Sequence, residues 1–458
     1  MAEALIIVPK VDKRYGTTGI LALSSILPVL GAEYISLYAW ERGRHKVTVF
    51  YEDLEADDSV FEALDKAGKE TLVGISIASL SYGNSVRIME YAHARGLRVA
   101  IGGPHVQIGW KLILRHRPYV ICVPSHGETA MLGLLEKNPL ASVPGIIYVE
   151  NGVIRENPAV PIDYEELPLI NGLIDHDRFF SRWQGAKDIY KRADSRGFVS
   201  IRGIKGCAKE KPCTFCTVDR VEAYDPLKRA ERIAREREDA VNRFGQSIFI
   251  RECNDDLPSA DCLRALADLT PRSYNTPTYN NARITELLRK GRPELVRAAG
   301  YTDLLLGLES FCEAGLKYTG KSVGTLRELH TLLRQTESTG LNFYISGILG
   351  WPGETPETYS EITRNIEDLL RYDHVKSIGL GFLILYPFTD LFNLLMDDPA
   401  YRGKHLDRKD ADILDYFELF RDWLHRFAGG VSFSYLDSFM KNLTETHSRV
   451  IYLSGFAV

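Results

Sequence analysis

The chain has 458 residues, enough for two or three domains with cores of their own, and its 45% hydrophobic and 26% charged residues are the balance of a soluble α/β protein. A net charge of −5 gives no reason to expect a polyanionic partner, so nucleic acid is not an expected ligand. With seven cysteines in that length, it is not a disulfide-stapled miniprotein.

The opening stretch MAEALIIVPKVDKRYG has too short an apolar run for a signal peptide, and an acidic residue stands where a positive region would be. Apolar stretches elsewhere are broken by charge or glycine well before the ~20 residues a membrane span requires. A cytoplasmic location without a membrane partner is expected, where thiols stay reduced and clustered cysteines bind metal more often than they pair.

From the amino terminus, ALIIV, KVTVFYE, LVGISIAS, LRVAIGG and YVICV read as buried strands, and GAEYISLYAWERG and SVRIMEYAHARG as helices closed by glycine. The alternation predicts a doubly wound parallel sheet over residues 1–157. It ends in a hairpin, GIIYVENGVIRE, where Asn151-Gly152 suits a type I′ turn. Residues 158–195 carry prolines, aromatics and mixed charge without a period, and are expected to be a linker. A second strand–helix series over 196–395 contains GFVSIRGIKG, SIFIRECNDD, TPTYNNARI, YTDLLLGLES, LNFYISGILGWPGET and VKSIGLGFLILYP. Six strands in series predict a partial or full α/β barrel. LKRAERIAREREDAVNRFG within it has the spacing of a solvated helix face. Residues 396–458 read as a helical extension whose short apolar tail is placed to cover the barrel mouth or edge.

The loop after the first strand of that series, GIKGCAKEKPCTFCTVD, gathers Cys207, Cys213 and Cys216. The other cysteines, Cys122, Cys253, Cys262 and Cys312, are expected to pack as small hydrophobes. Structural zinc takes four protein ligands, often as two paired knuckles, and no second Cys/His pair of that spacing occurs. Three thiolates on a [4Fe–4S] cluster leave one iron open to a cofactor or substrate. The iron–sulfur reading stands ahead, with zinc still possible through a distant histidine. Phe215, between the last two cysteines, is placed to shield a cluster. The loop leaves a strand's carboxyl end, the face on which barrel active sites are assembled. Downstream, GLES (307–310) closes the fourth strand and GWPGET (350–355) follows the fifth.

In this order the motifs resemble the radical S-adenosylmethionine superfamily, whose signature is a Cys-x3-Cys-x2-Cys loop after the first strand of a partial (β/α)6 barrel. CTFC fits the end of that signature. The first gap is five residues instead of three, so the loop must bulge around AKEKP if Cys207 is a ligand. The resemblance implies that Cys207, Cys213 and Cys216 ligate a [4Fe–4S] cluster and that S-adenosylmethionine occupies the fourth iron. It further implies cofactor contacts from Phe215, from Gly307, Glu309 and Ser310 near the ribose or amino end, and from Gly350, Pro352 and Gly353 near the adenine. Glycines at strand ends admit a flat ligand, and a carboxylate accepts from ribose hydroxyls or an ammonium.

The stretch from LVGISIAS to GGPH, followed by VPSHGET, resembles the cobalamin-binding-like domain of one branch of the superfamily. No Asp-x-His-x-x-Gly ligand motif occurs. His105 and His126 stand at strand ends within reach of a ligand, although a lone histidine there is more often a hydrogen-bonded loop residue. Cobalamin is therefore admitted and not favoured. Some members keep the domain without the cofactor, including sugar dehydratases of aminoglycoside pathways. That resemblance implies hydrogen abstraction from a small hydroxylated or amino-sugar-like substrate followed by dehydration, redox change or rearrangement, with an external electron donor.

RECNDDLP supplies Glu252, Asp255 and Asp256 as acid–base candidates, and strand alternation admits only one of the adjacent aspartates to a cavity. Tyr274, Tyr279 and Arg283 are expected to line the site. The alternatives are a cobalamin-dependent C-methyltransferase and, from another class, a non-catalytic iron–sulfur electron carrier. Relatives that modify tRNA bring extra cluster cysteines or a basic carboxyl-terminal module, and this chain has neither.

Overall fold

The computed structural model of the chain describes residues 2–12, 15, 27–56, 58–183, 195–203, 206–218, 220–221, 223–321 and 324–454. The first sheet contains β1 (Glu3–Val8), β2 (Lys46–Tyr51), β3 (Leu72–Ser76), β4 (Arg98–Gly102), β5 (Ile121–Val123), β6 (Ile147–Glu150) and β7 (Val153–Glu156), ordered β2-β1-β3-β4-β5-β6-β7. β1 to β5 run parallel, and β6 and β7 join antiparallel. Burial on both faces explains the unbroken apolar runs of the parallel strands. Ile7, Val73 and Ile101 pack under the helices Ser59–Lys66, Tyr82–Ala94 and Pro104–His116, and Ile6, Leu72 and Ala100 under Leu30–Gly43 and Gly127–Leu135. Asn151 and Gly152 have φ of 51° and 76°, the paired left-handed residues of a type I′ turn.

The second sheet contains β8 (Phe198–Arg202), β9 (Phe249–Cys253), β10 (Thr278–Ala282), β11 (Asp303–Glu309), β12 (Asn342–Leu349), β13 (Val375–Phe382) and β14 (Val450–Ser454). They lie in sequence order and are all parallel, with β8 and β14 at the two ends of an open barrel. The carboxyl-terminal extension is thus not purely helical. After the helices Arg402–Asp410, Tyr416–Phe427 and Phe433–Thr446 it adds β14 to the barrel edge, a run too short for periodicity to separate strand from helix. Residues 455–458 of the apolar tail lie outside the described residues.

Two further stretches show order that the sequence reading did not specify. The segment 158–195 contains the helix His176–Trp183, whose Phe179, Phe180 and Trp183 are buried, while its residues 184–194 lie outside the described residues. Trp183 packs edge-on against Phe198 at 4.5 Å and, with Phe249, Tyr279 and Tyr344, closes the amino-terminal end of the barrel. The opposite end carries the ligand spaces. The helix Pro226–Phe244 is not a solvated charge face, because Arg229, Arg232, Glu236 and Arg237 are buried in it. Each has a partner: Arg232 donates to Glu236 at 2.7 Å, Arg237 pairs with Glu252 at 2.5 Å, and Arg229 pairs with Glu165 at 2.5 Å. Glu236 also accepts from Tyr34 of the first domain at 3.0 Å, which ties the barrel wall to the first sheet. On the other side Tyr82 donates to Asp412 at 3.0 Å and Arg117 pairs with the same carboxylate.

Candidate functional site

The cysteine loop is pinned from two sides. Asp255 accepts the Gly206 N–H at 2.7 Å, and Cys207 pairs as a parallel bridge with Arg220. The cysteine loop folds onto the segment Tyr318–Gly320: Lys209 Nζ donates to the Gly320 carbonyl at 2.6 Å, and Thr214 Oγ1 to the Tyr318 carbonyl at 2.6 Å. Cys207, Cys213 and Cys216 are free thiols lining one cavity of about 350 Å³.

The donor set can be tested against the candidate groups. Among the described residues no three His, Cys, Asp or Glu side chains converge closely enough to hold a single metal ion. Three thiols bordering one cavity fit a [4Fe–4S] cluster that leaves one iron without a protein ligand. Burial pushes the Cys207 and Cys216 thiols up, so ligation of metal would release protons. Their surroundings differ. Cys207 Sγ lies 3.9 Å from Asp256 Oδ2, Cys213 Sγ accepts from Lys209 Nζ at 3.4 Å, and Cys216 Sγ accepts the Val218 N–H at 3.4 Å.

Across the cavity, Glu309 sits at φ 71°, beside a register shift between Gly307 and Glu309 in the pairing with β12. Lys321 Nζ is 2.6 Å from both Glu309 Oε1 and the Gly307 carbonyl. A Cβ on Gly307 would lie 2.2 Å from Glu309 Oε1 and 2.9 Å from Lys321 Nζ, so a larger residue there would displace this ion pair. Trp351 Nε1 donates to the Glu309 carbonyl at 2.9 Å, and Phe215 packs edge-on against the same indole at 5.4 Å.

The remaining expected cofactor contacts do not line this cavity. Ser310 is buried and donates to the Cys312 carbonyl at 3.3 Å. Gly350, at φ 97°, and Gly353, at φ 77°, shape the turn that also contains Pro352. Glu354 closes that turn by accepting the Gly350 N–H at 2.8 Å and the Tyr359 hydroxyl at 2.5 Å, and burial pushes its carboxyl up to about 7. The turn supports Trp351 and reaches the site only through it.

Among the acid–base candidates, Glu252 points into the helix layer, where it accepts from Arg237 at 2.5 Å and Tyr301 at 2.5 Å. It does not line the cysteine-loop cavity. Asp256 is buried against Arg283 at 2.6 Å, and burial raises its carboxyl despite that guanidinium. Asp255 is exposed in the cavity, which Arg283 and Asn281 also line. Tyr279 belongs to the plug at the barrel's other end, and Tyr274 lies on the outer wall, 2.6 Å from Thr278 Oγ1.

A second cavity of about 470 Å³ lies at the carboxyl ends of the first sheet, where open α/β sheets bind ligands. Ser76, Gly102 and Val123 border it on one side, and Arg202, Gly203 and Cys253 on the other. Cys253 is therefore no packing residue: it is exposed within this space, whereas Cys122, Cys262 and Cys312 are buried. The Arg202 guanidinium stacks 3.1 Å from the Tyr164 ring centre, and the Tyr164 hydroxyl donates to Glu128 at 2.8 Å. His126 lines the cavity with Nδ1 3.2 Å from that hydroxyl. His105 does not line it: its ring stacks on Tyr82 at 4.2 Å, lies 3.0 Å from Ser79 Oγ, and is pushed down to about 4 by burial. Gly31 borders the cavity, and a Cβ there would meet no protein atom within 4 Å. A side chain at this position would therefore enter the open space.

Lys209, Lys321, Arg202 and Cys253 carry no motif of their own. Only the alternation of β9, with Cys253 and Asp255 exposed and Glu252, Asn254 and Asp256 buried, pointed toward one of them.

The sequence matches no protein-family model and no curated protein. Solved structures do share the architecture. The radical S-adenosylmethionine methyltransferase TsrM from Kitasatospora setae, solved with cobalamin and a [4Fe–4S] cluster bound, superposes with a TM-score of 0.63 at 18% identity, covering 85% of this chain and 77% of TsrM. The cobalamin-dependent S-adenosylmethionine radical enzyme OxsB, solved with aqua-cobalamin and S-adenosylmethionine, gives 0.58 at 18% identity, covering 88% of this chain and 56% of OxsB. The chain thus shares its fold with TsrM and OxsB, a doubly wound domain before an open barrel.

Proposed function

We propose that the chain is a radical S-adenosylmethionine enzyme that uses cobalamin and transfers a methyl group to a small-molecule substrate. The observation that carries this reading is the end of β9, where Cys253 opens into the interdomain cavity and Asp255 into the cysteine-loop cavity. Two ligand spaces adjoin across one strand end. The sequence alone placed cobalamin second to a dehydration without it; the shaped interdomain cavity, and the cobalamin bound in TsrM and OxsB, support placing it first.

When bound, a [4Fe–4S] cluster with S-adenosylmethionine supplies a 5′-deoxyadenosyl radical, and a corrinoid supplies a carrier for the methyl group. In this reading Cys207, Cys213 and Cys216 hold three irons. Glu309, oriented by Lys321, takes the ammonium or ribose hydroxyls of S-adenosylmethionine. Phe215 and Trp351 keep water from that side of the cluster. Asn281, whose amide donates to the Asn254 carbonyl at 2.6 Å, presents a fixed polar edge between the two spaces. Arg202 and His126, both held against Tyr164, would border the corrinoid. An external electron donor is part of the proposal; a nucleic-acid or membrane partner is not. Among the described residues no helix is long and apolar enough to cross a membrane.

Dehydration is the second reading, favoured by one feature: Asp255, exposed in the cavity, is placed to take a proton from a substrate hydroxyl. Anaerobic reconstitution with methyl-labelled S-adenosylmethionine, cobalamin and reductant separates the readings. S-adenosylhomocysteine that accumulates only with cobalamin supports methyl transfer. Formation of 5′-deoxyadenosine with no cobalamin dependence supports dehydration, and absence of both nucleosides leaves an electron carrier.

A further inference from the structure

We propose that Lys209 raises the reduction potential of the cluster held by the cysteine loop through a charged hydrogen bond to the sulfur of Cys213. The inference rests on the reading of the three cysteines as cluster ligands. Lys209 lies inside the long first gap, and its ammonium is held at two points, 2.6 Å from the Gly320 carbonyl and 3.4 Å from Cys213 Sγ. The first contact fixes the head group and the second aims it at a ligating sulfur. The longer gap thus brings a cation back over the loop.

The other two cations bordering this cavity are neutralised locally. Lys321 pairs with Glu309 at 2.6 Å and Arg283 with Asp256 at 2.6 Å. Among the described residues Lys209 has no carboxylate partner, so its charge is directed at the thiolate. Cys216 receives a neutral backbone N–H, and Cys207 faces the Asp256 carboxylate. Reduction adds an electron to a cluster already carrying three thiolates. A cation hydrogen-bonded to one of them therefore stabilises the reduced form more than the oxidised form. Lys209 is a positioning and tuning residue and touches no substrate atom.

The test is a redox titration, followed by electron paramagnetic resonance, of anaerobically reconstituted wild-type protein and the variants Lys209→Met, Lys209→Gln, Lys209→Arg and Lys211→Met. Lys211 is an exposed lysine of the same loop and serves as the control. Both neutral Lys209 variants should keep their iron and sulfide content while the reduced-to-oxidised ratio at the wild-type midpoint falls about tenfold, equivalent to about 59 mV for one electron. Lys209→Arg should lie near wild type, and Lys211→Met should coincide with it. The proposal fails if Lys209→Met titrates with wild type or if Lys211→Met shifts as far. It also fails if both neutral variants lose the cluster while circular dichroism shows them folded, because Lys209 would then merely hold the loop. A wild-type chain that binds no cluster defeats the cluster reading and this proposal together, whereas matching midpoints on intact clusters defeat this proposal alone.

Discussion

Trp351 reaches from the loop after β12 to the carbonyl of Glu309 at the end of β11, and its indole N–H bond of 2.9 Å braces a residue whose φ is 71°. A non-glycine residue in that region costs on the order of 1–3 kcal/mol and persists only where its surroundings hold it. The brace keeps the Glu309 carboxylate on Lys321 and facing the cavity. Trp351→Phe keeps an aromatic ring against Phe215 and removes only the donor. The expected loss is about 1 kcal/mol, read as about fivefold weaker S-adenosylmethionine binding by calorimetry with iron content unchanged. Unaltered affinity would show that Glu309 does not contact the cofactor.

Glu252 and Asp255 divide structure from site within four residues of chain. Glu252→Ala leaves the buried Arg237 guanidinium without its carboxylate and should cost about 3–5 kcal/mol in urea unfolding. Asp255→Ala removes one hydrogen bond from the cysteine loop and should cost about 1 kcal/mol. Similar losses from the two variants would contradict this division.

Glu354 makes stability depend on pH. Burial raises its carboxyl from 4.5 to about 7, so the folded chain holds the proton more tightly than the unfolded chain. Its contribution is most favourable below the unfolded value, declines as pH rises from 4.5 to about 7, and is level above that. At 1.36 kcal/mol per unit this amounts to roughly 3 kcal/mol. Glu354→Gln keeps an acceptor for the Gly350 N–H and the Tyr359 hydroxyl without the titration. The variant should therefore exceed wild type in stability at ~pH 8, with the gap closing toward ~pH 5. A gap independent of pH would remove the argument.

Gly31 tests the interdomain cavity. A side chain there grows into open space, so Gly31→Phe should fold and load iron as wild type does but retain little corrinoid. Full corrinoid retention would place the ligand elsewhere.

The two sheets were legible in the sequence because strands buried on both faces are written as short apolar runs rich in β-branched residues, as in LVGIS and RVAIG. The cysteine loop was legible because three thiols at close spacing have few other uses. Other stretches were locally ambiguous. In GWPGET a Cβ on Gly350 would lie 2.6 Å from the Phe420 ring, a packing role the sequence alone did not show. HDRFFSRW carries its buried face on only two turns, too short a stretch to stand out among prolines and charges. Charge along Pro226–Phe244 suggested solvent, because the partners of Arg232 and Arg237 were not visible without the tertiary fold. Cys253 resembled a core residue until the first domain was set against the end of β9.

The central claim, that one chain holds a cluster and a corrinoid in adjoining spaces, is tested most directly by metal and corrinoid analysis after anaerobic reconstitution with iron, sulfide and hydroxocobalamin. The account predicts about four irons and one corrinoid per chain, with Cys207→Ala, Cys213→Ala and Cys216→Ala each losing iron and Cys253→Ala keeping it. A chain that takes up one zinc, assembles no iron cluster and passes through gel filtration free of corrinoid would contradict it.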